Sequence, residues 1–231
     1  MSRALNLRKS CLLIICFMVL LSARMDGSTQ PWRQVVLRDL CVTEGRLTEY
    51  SPGYLGIEGA RTRAVQGYNS GHAAELFFRY LGPSAEQLPL ESGITRTQIG
   101  LKMRAQNACN LVYVMWRISP EPQLVVSIKR NPRQVTSAQC HNRGYHNVTP
   151  DKQVNVAAVK IGSAHSLRAE INGTELSVAA DGQIVWDGHL DASAFQFDGP
   201  VGFRTDNGNF EAQFFAFQEA GPIGCPQVDP E

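Results

Sequence analysis

The residues best placed for chemistry are basic and share a spacing. In three consecutive segments, Thr97 to Ala105, Leu111 to Ile118 and Leu124 to Arg130, apolar residues alternate with a second set. The apolar set holds Ile99, Leu101, Met103, Val112, Val114, Trp116, Ile118, Leu124, Val126 and Ile128. The second set displays Gln98, Lys102, Arg104, Tyr113, Arg117 and Lys129, with Arg79 from an earlier segment able to join them. Period-two alternation places each set on one face of a strand. Carboxylates are nearly missing from the second set, although the whole chain carries a net charge of only +1. Guanidinium and ammonium groups beside a tyrosine ring suit an anionic ligand, by charge-assisted hydrogen bonds and ring stacking. The competing reading is a solvated face whose long Lys and Arg stems cover apolar surface.

Other chemistries have weaker patterns. Hydrolysis of a glycosidic bond needs two carboxylates at a set separation, and Glu75, Glu170, Glu175, Asp187 and Glu211 are scattered, with no E-x-D-x-(x)-E run. Cys140-His141 with His146 and Asp151 matches no zinc spacing. Asp206, Asn207 and Asn209 offer oxygen ligands for calcium, against the plainer reading of a β-turn. His72 and His165 stand beside turns with no Ser/His/Asp arrangement around them. Trp186 follows a turn and is a candidate stacking platform, with core packing as its alternative; Trp116 lies on the apolar register and reads as core. Asn147-Val148-Thr149 and Asn172-Gly173-Thr174 are formal glycosylation sequons.

The elements that must position these groups read as strands throughout. Ala74 to Leu81 alternates Leu76, Phe78 and Tyr80 against Glu75, Phe77 and Arg79, and its aromatic content favours a strand. Gly82 to Ser92 and Asn131 to Lys152 are loops, the second long enough to be functional or stapled. From His165 to Phe217 the chain reads as short strands joined by Asn172-Gly173, Asp181-Gly182 and Asp206-Asn207-Gly208-Asn209 turns. These connections are too short for the crossover that a parallel pair needs.

That last stretch resembles the C-terminal half of concanavalin A-like lectin/glucanase domains, including LamG-type and 3-keto-disaccharide hydrolase-like members. The resemblance rests on the two Asp/Asn-Gly hairpins, the Gly199-Pro200-Val201-Gly202-Phe203 strand and the aromatic strand Phe210 to Phe217. It implies an all-β antiparallel β-sandwich of jelly-roll type, with a concave sheet or rim loops that bind glycans. The expected function is an exported carbohydrate-binding or surface-interaction module, lectin-like, for an acidic glycan on the basic face. The alternatives are a glycoside hydrolase-like enzyme acting on a polysaccharide and a structural exported domain that binds protein. No cofactor is expected, calcium aside.

The compartment follows from the N-terminus and the cysteines. Arg3, Arg8 and Lys9 precede an apolar run from Cys11 to Leu21, which reads as a signal peptide over residues 1–23 or an uncleaved anchor. Residues 24–34 read as a linker, 35–221 as the sandwich and 222–231 as a tail. The protein is expected to be secreted or extracytoplasmic, touching a membrane only through an uncleaved N-terminal segment. The near-neutral charge gives no case for nucleic acid. Four cysteines remain after the signal segment, and an even number in an exported domain suggests two disulfides. Three connectivities are open; Cys109–Cys140 with Cys41–Cys225 is favoured, since it clips a long loop and ties the first strand to the tail.

Overall fold

The computed structural model describes residues 32–67, 71–217 and Cys225. The expected signal segment, most of the linker, residues 68–70 of the turn before His72 and most of the tail lie outside the described residues. The strands are β1 (Trp32–Val35), β2 (Leu40–Ser51), β3 (Tyr54–Gln66), β4 (Ala73–Pro83), β5 (Thr97–Met103), β6 (Asn110–Ser119) and β7 (Gln123–Arg130). They continue as β8 (Tyr145–Asn147), β9 (Lys152–Gln153), β10 (Ala164–Asn172), β11 (Glu175–Ala180), β12 (Gln183–His189), β13 (Gly202–Asp206) and β14 (Gly208–Phe217). A single helical turn, α1, covers Ser137–Cys140.

All pairings are antiparallel. The strand order is β8-β7-β6-β5-β13-β3-β14-β4-β10-β11-β12-β9, with β1 on β14 and β2 on β3. This continuous ladder curls over so that its two halves face each other across one core. Trp116 of β6 meets Phe78 of β4 edge-on at 5.7 Å, and Phe78 in turn meets Phe210 of β14 at 6.0 Å. Leu76, Phe78 and Tyr80 are buried as the alternation requires, as are Ile99, Leu101, Met103, Val112, Val114, Trp116, Leu124, Val126 and Ile128. Offset and edge-on ring contacts add to the area removed from water.

The turns follow from their residues. Asp181 and Gly182 both take positive φ, 51° and 77°, as a two-residue hairpin between right-twisted strands requires. In the hairpin before it, β10 to β11, the positive φ falls on Gly173 at 61°. Both disulfides pair as favoured, Cys41 with Cys225 and Cys109 with Cys140.

β5 departs from the alternation. Every residue from Thr97 to Met103 is buried, the polar set included. Two connections line a depression together with Gln98 of β5, the one before β5 through Leu90, Glu91, Ser92 and Arg96 and the one after β7 through Ser137, Ala138, His141 and Asn142. The basic face is therefore the floor of a groove and not an open sheet.

Candidate functional site

Registered rows across the strands build the groove floor. One row runs Arg61–Asp206–Gln98–Arg117, the next Arg63–Arg204–Gly100–Met115, and a third Gly202–Lys102–Tyr113–Ser127–Asn147. Because each row sits on one face of adjacent strands, residues far apart in sequence converge. The groove holds about 520 Å³. Arg61, Arg63, Arg96, Arg117, Lys129 and Arg204 line it, together with Tyr113, Tyr145, His141 and Asn142; its carboxylates are Glu44 and Glu91.

Asp206 organises the floor from beneath. It is fully buried and receives Arg63 Nη2 at 2.6 Å, Arg204 Nε at 2.8 Å and Gln98 Nε2 at 2.6 Å. Burial by itself would raise the Asp206 pKa. The Arg204 and Arg63 charges, with hydrogen bonds from Arg204 and Gln98, outweigh it and hold the carboxyl well below the usual range. One buried carboxylate thus fixes two guanidiniums. Arg204 lies over the Tyr113 ring, its Cζ 5.1 Å from the centroid.

The outer wall is the segment between β7 and β8. Cys140, at the end of α1, is tied to Cys109 at the foot of β6. Gln139 accepts from the backbone N–H groups of Thr136 and Val135, which caps the turn. Gly144 then makes the return at a φ of 75°, where a Cβ would stand 2.4 Å from the Arg130 carbonyl. Only glycine allows both that φ and that approach. The return delivers Tyr145, which is 37% exposed, onto Tyr113, with ring centroids 6.0 Å apart and planes at 22°. Lys129 Nζ lies 5.0 Å from the Tyr145 centroid and donates to the Ala108 carbonyl.

The inner wall, residues 84–96, is clamped by Asn207. Its Nδ2 donates to the carbonyls of Leu88 and Arg96, and its Oδ1 accepts from Leu88 N. Arg61 Nη2 adds a bond to the Pro89 carbonyl.

The expected site residues divide accordingly. Tyr113, Arg117 and Lys129 line the groove, while Lys102 is 2% exposed on the floor beside Tyr113 and is not among the lining residues. Arg104 is corrected. It lies just past β5 at a φ of 49°, where the strand has ended and alternation no longer sets direction. Its guanidinium donates to the Ala194 and Phe197 carbonyls and stands over Phe195, so it braces residues 194–198 instead of lining the groove. Trp186 is 1% exposed within the main core and offers no platform to a ligand.

The calcium expectation is also corrected. Asp206 is occupied by guanidiniums, Asn207 by the inner wall, and Asn209 Oδ1 by the backbone N–H of Gly59. These three side chains do not converge as a cation cage, and among the described residues no group of three or more His, Cys, Asp or Glu could hold a metal. Tyr145, Arg96, Arg63, Arg61 and Arg204 were missing from the sequence reading. The Arg61-Thr62-Arg63 alternation was the available signal for two of them.

A second depression of about 500 Å³ includes the exposed rings of Tyr50, Tyr54 and Phe77, with Phe78, His165 and Asp181 also lining it. Here the structure overturns an expectation. His165 is not isolated: its Nε2 is 2.8 Å from Ser163 Oγ and its Nδ1 is 2.8 Å from Asp181 Oδ2. The arrangement has the connectivity of a nucleophilic triad. However, Ser163 Oγ donates to the Lys160 carbonyl at 2.6 Å and accepts from Lys160 N at 3.0 Å. The hydroxyl has one proton, for which the Lys160 carbonyl competes with His165 Nε2, and the three residues hold the start of β10 to the β11–β12 hairpin.

No protein-family model and no curated protein matches the chain. Solved structures do. The carbohydrate-binding module CBM66 from Bacillus subtilis superposes with a TM-score of 0.52 at 11% identity, over 75% of this chain and 91% of that one. The metal-free carbohydrate recognition domain of Emp46p gives 0.50 at 7% identity, over 80% and 90%. The Crh5 transglycosylase in complex with NAG gives 0.45 at 12% identity, over 83% and 88%, too loose to carry an argument about this chain. What the chain shares with CBM66 and the Emp46p domain is the concanavalin A-like fold.

Proposed function

We propose that the chain is an extracytoplasmic carbohydrate-binding module whose groove takes an acidic oligosaccharide. The observation that carries this reading is the pairing, in one groove, of a half-exposed stacked tyrosine with a cationic lining. Tyr145 offers a ring face to a sugar, and the guanidiniums offer paired donors to carboxylate or sulfate oxygens. The solved structures of like fold that are named as carbohydrate-binding support the class of ligand. Two disulfides support an oxidising compartment.

The alternative, a glycoside hydrolase-like enzyme acting in this groove, would draw both of its carboxylates from Glu44 and Glu91. Glu44 stands 3.6 Å from Arg63 and 3.8 Å from Arg61, which favours a charged, ion-paired role. The test is a glycan array of neutral, uronic acid and sulfated oligosaccharides, with reducing ends assayed on every retained glycan. Retention of acidic glycans without cleavage supports the module. Turnover lost in Glu91→Gln supports the enzyme.

A further inference from the structure

Arg96 and Arg117 are two groove guanidiniums that the Asp206 hub does not neutralise. Arg117 lies in the Asp206–Gln98 row, but the Gln98 amide stands between and spends its Nε2 on Asp206. Arg117 Nη1 donates to Gln123 Oε1 at 2.8 Å, while its Nε is buried and has no partner among the described residues. Arg96 precedes β5, its carbonyl held by Asn207, and its guanidinium pairs with no carboxylate among the described residues. Burial, and then the like charge of Arg96, lower the Arg117 pKa. Two like charges lining one groove without a carboxylate partner among the described residues are unfavourable when it is empty. Both side chains line the groove, so an oxyanion bound there supplies the counter-charge that neither guanidinium has among those residues.

We propose that Arg96 and Arg117 form an oxyanion subsite that receives a carboxylate or sulfate substituent of the glycan. This deepens the carbohydrate-binding reading and rests on it for the rest of the ligand. Tyr113 and Arg117 are four residues apart on one face of β6, so the stacked tyrosines and this subsite are separated by about 13 Å along the strand. A ligand that fills both is an oligosaccharide, stacked at one end and charged at the other.

The test uses the full folded chain, 15N-labelled, observed through arginine Nε–H resonances. Sodium sulfate and sodium acetate are titrated separately at constant ionic strength against chloride. The Arg117 peak is assigned by its loss in Arg117→Lys. It should shift saturably with at least one of the two anions, and Arg96→Gln should weaken that response at least tenfold. The preferred anion identifies the substituent. An Arg117 peak that moves with neither anion, or moves equally in Arg96→Gln, overturns the subsite. Near-UV circular dichroism establishes that both variants are folded.

The same samples are then titrated with a heparin-derived sulfated hexasaccharide, a hexagalacturonate and a neutral hexasaccharide. Glycan binding with a silent Arg117 removes the subsite and leaves the carbohydrate reading. An anion response with no glycan bound in the array or here removes the carbohydrate reading and leaves the subsite.

Discussion

Tyr145 rests on Tyr113 with its ring plane 22° from parallel, and one ring is exposed while the other is 3% exposed. The buried tyrosine, on central strand β6, fixes the position of the exposed one, on edge strand β8. A rigid ring presented in this way loses little freedom when a sugar docks. Tyr145→Ala should weaken oligosaccharide binding at least tenfold, about 1.4 kcal/mol. Stability should change by no more than about 0.5–1 kcal/mol, because the residue packs at an edge. Calorimetric titration and thermal melts of the same variant separate the two effects.

Asp206 makes the protein sensitive to acid. Its folded pKa is depressed, so its contribution to stability is fully present above the unfolded value of about 3.9 and is lost as pH falls through and below it. Thermal melts from pH 6 down to pH 2 should show a steep loss below about pH 4. Asp206→Asn leaves Arg204 buried without its counter-charge and removes the closer of the two carboxylates on Arg63, and should cost about 3–5 kcal/mol at neutral pH. Its melts should vary less with pH in the acid range than those of the parent protein.

Asn207 holds the inner wall by three hydrogen bonds at a buried position. Asn207→Ala strands the Leu88 and Arg96 backbone groups and should cost about 1–3 kcal/mol. Native-state trypsin digestion should then cut after Arg96 faster than in the parent protein.

The Cys109–Cys140 bridge closes a loop of 31 residues that ends just before the Tyr145 return. In the chain-entropy model its loss costs about 3.5–4 kcal/mol. The Cys109→Ser/Cys140→Ser variant should therefore melt lower and also bind more weakly, since the outer wall loses its anchor. Denaturant midpoints and glycan titration on that variant check both.

Strands with one wet face were legible in the sequence, because there the apolar residues must alternate. Phe78 and Trp116 were placed correctly by that rule alone. It failed where the polar set is buried as well. Gln98, Lys102 and Lys129 are buried, Gln98 on Asp206 and Lys129 between the Ala108 carbonyl and the Tyr145 ring, and period-two spacing carries no information about such distant partners. Arg104 was misplaced because positive φ ends the strand at Met103, two residues before the end of the alternating segment. Asp206 and Asn207 looked like a solvated turn; their partners Arg63, Leu88, Arg96 and Gln98 lie more than a hundred residues away. Tyr145 sits in a segment with no periodicity at all, so its role became visible only once Gly144 and the disulfide had set its position.

The central claim is that the basic, tyrosine-bearing groove binds an acidic oligosaccharide. The most direct measurement is a glycan array probed with the parent protein and with Tyr145→Ala in parallel. Uronic acid or sulfated oligosaccharides should be retained over their neutral counterparts, with retention falling at least tenfold in the variant. Retention of neutral and acidic glycans alike, or binding unchanged by Tyr145→Ala, would contradict it.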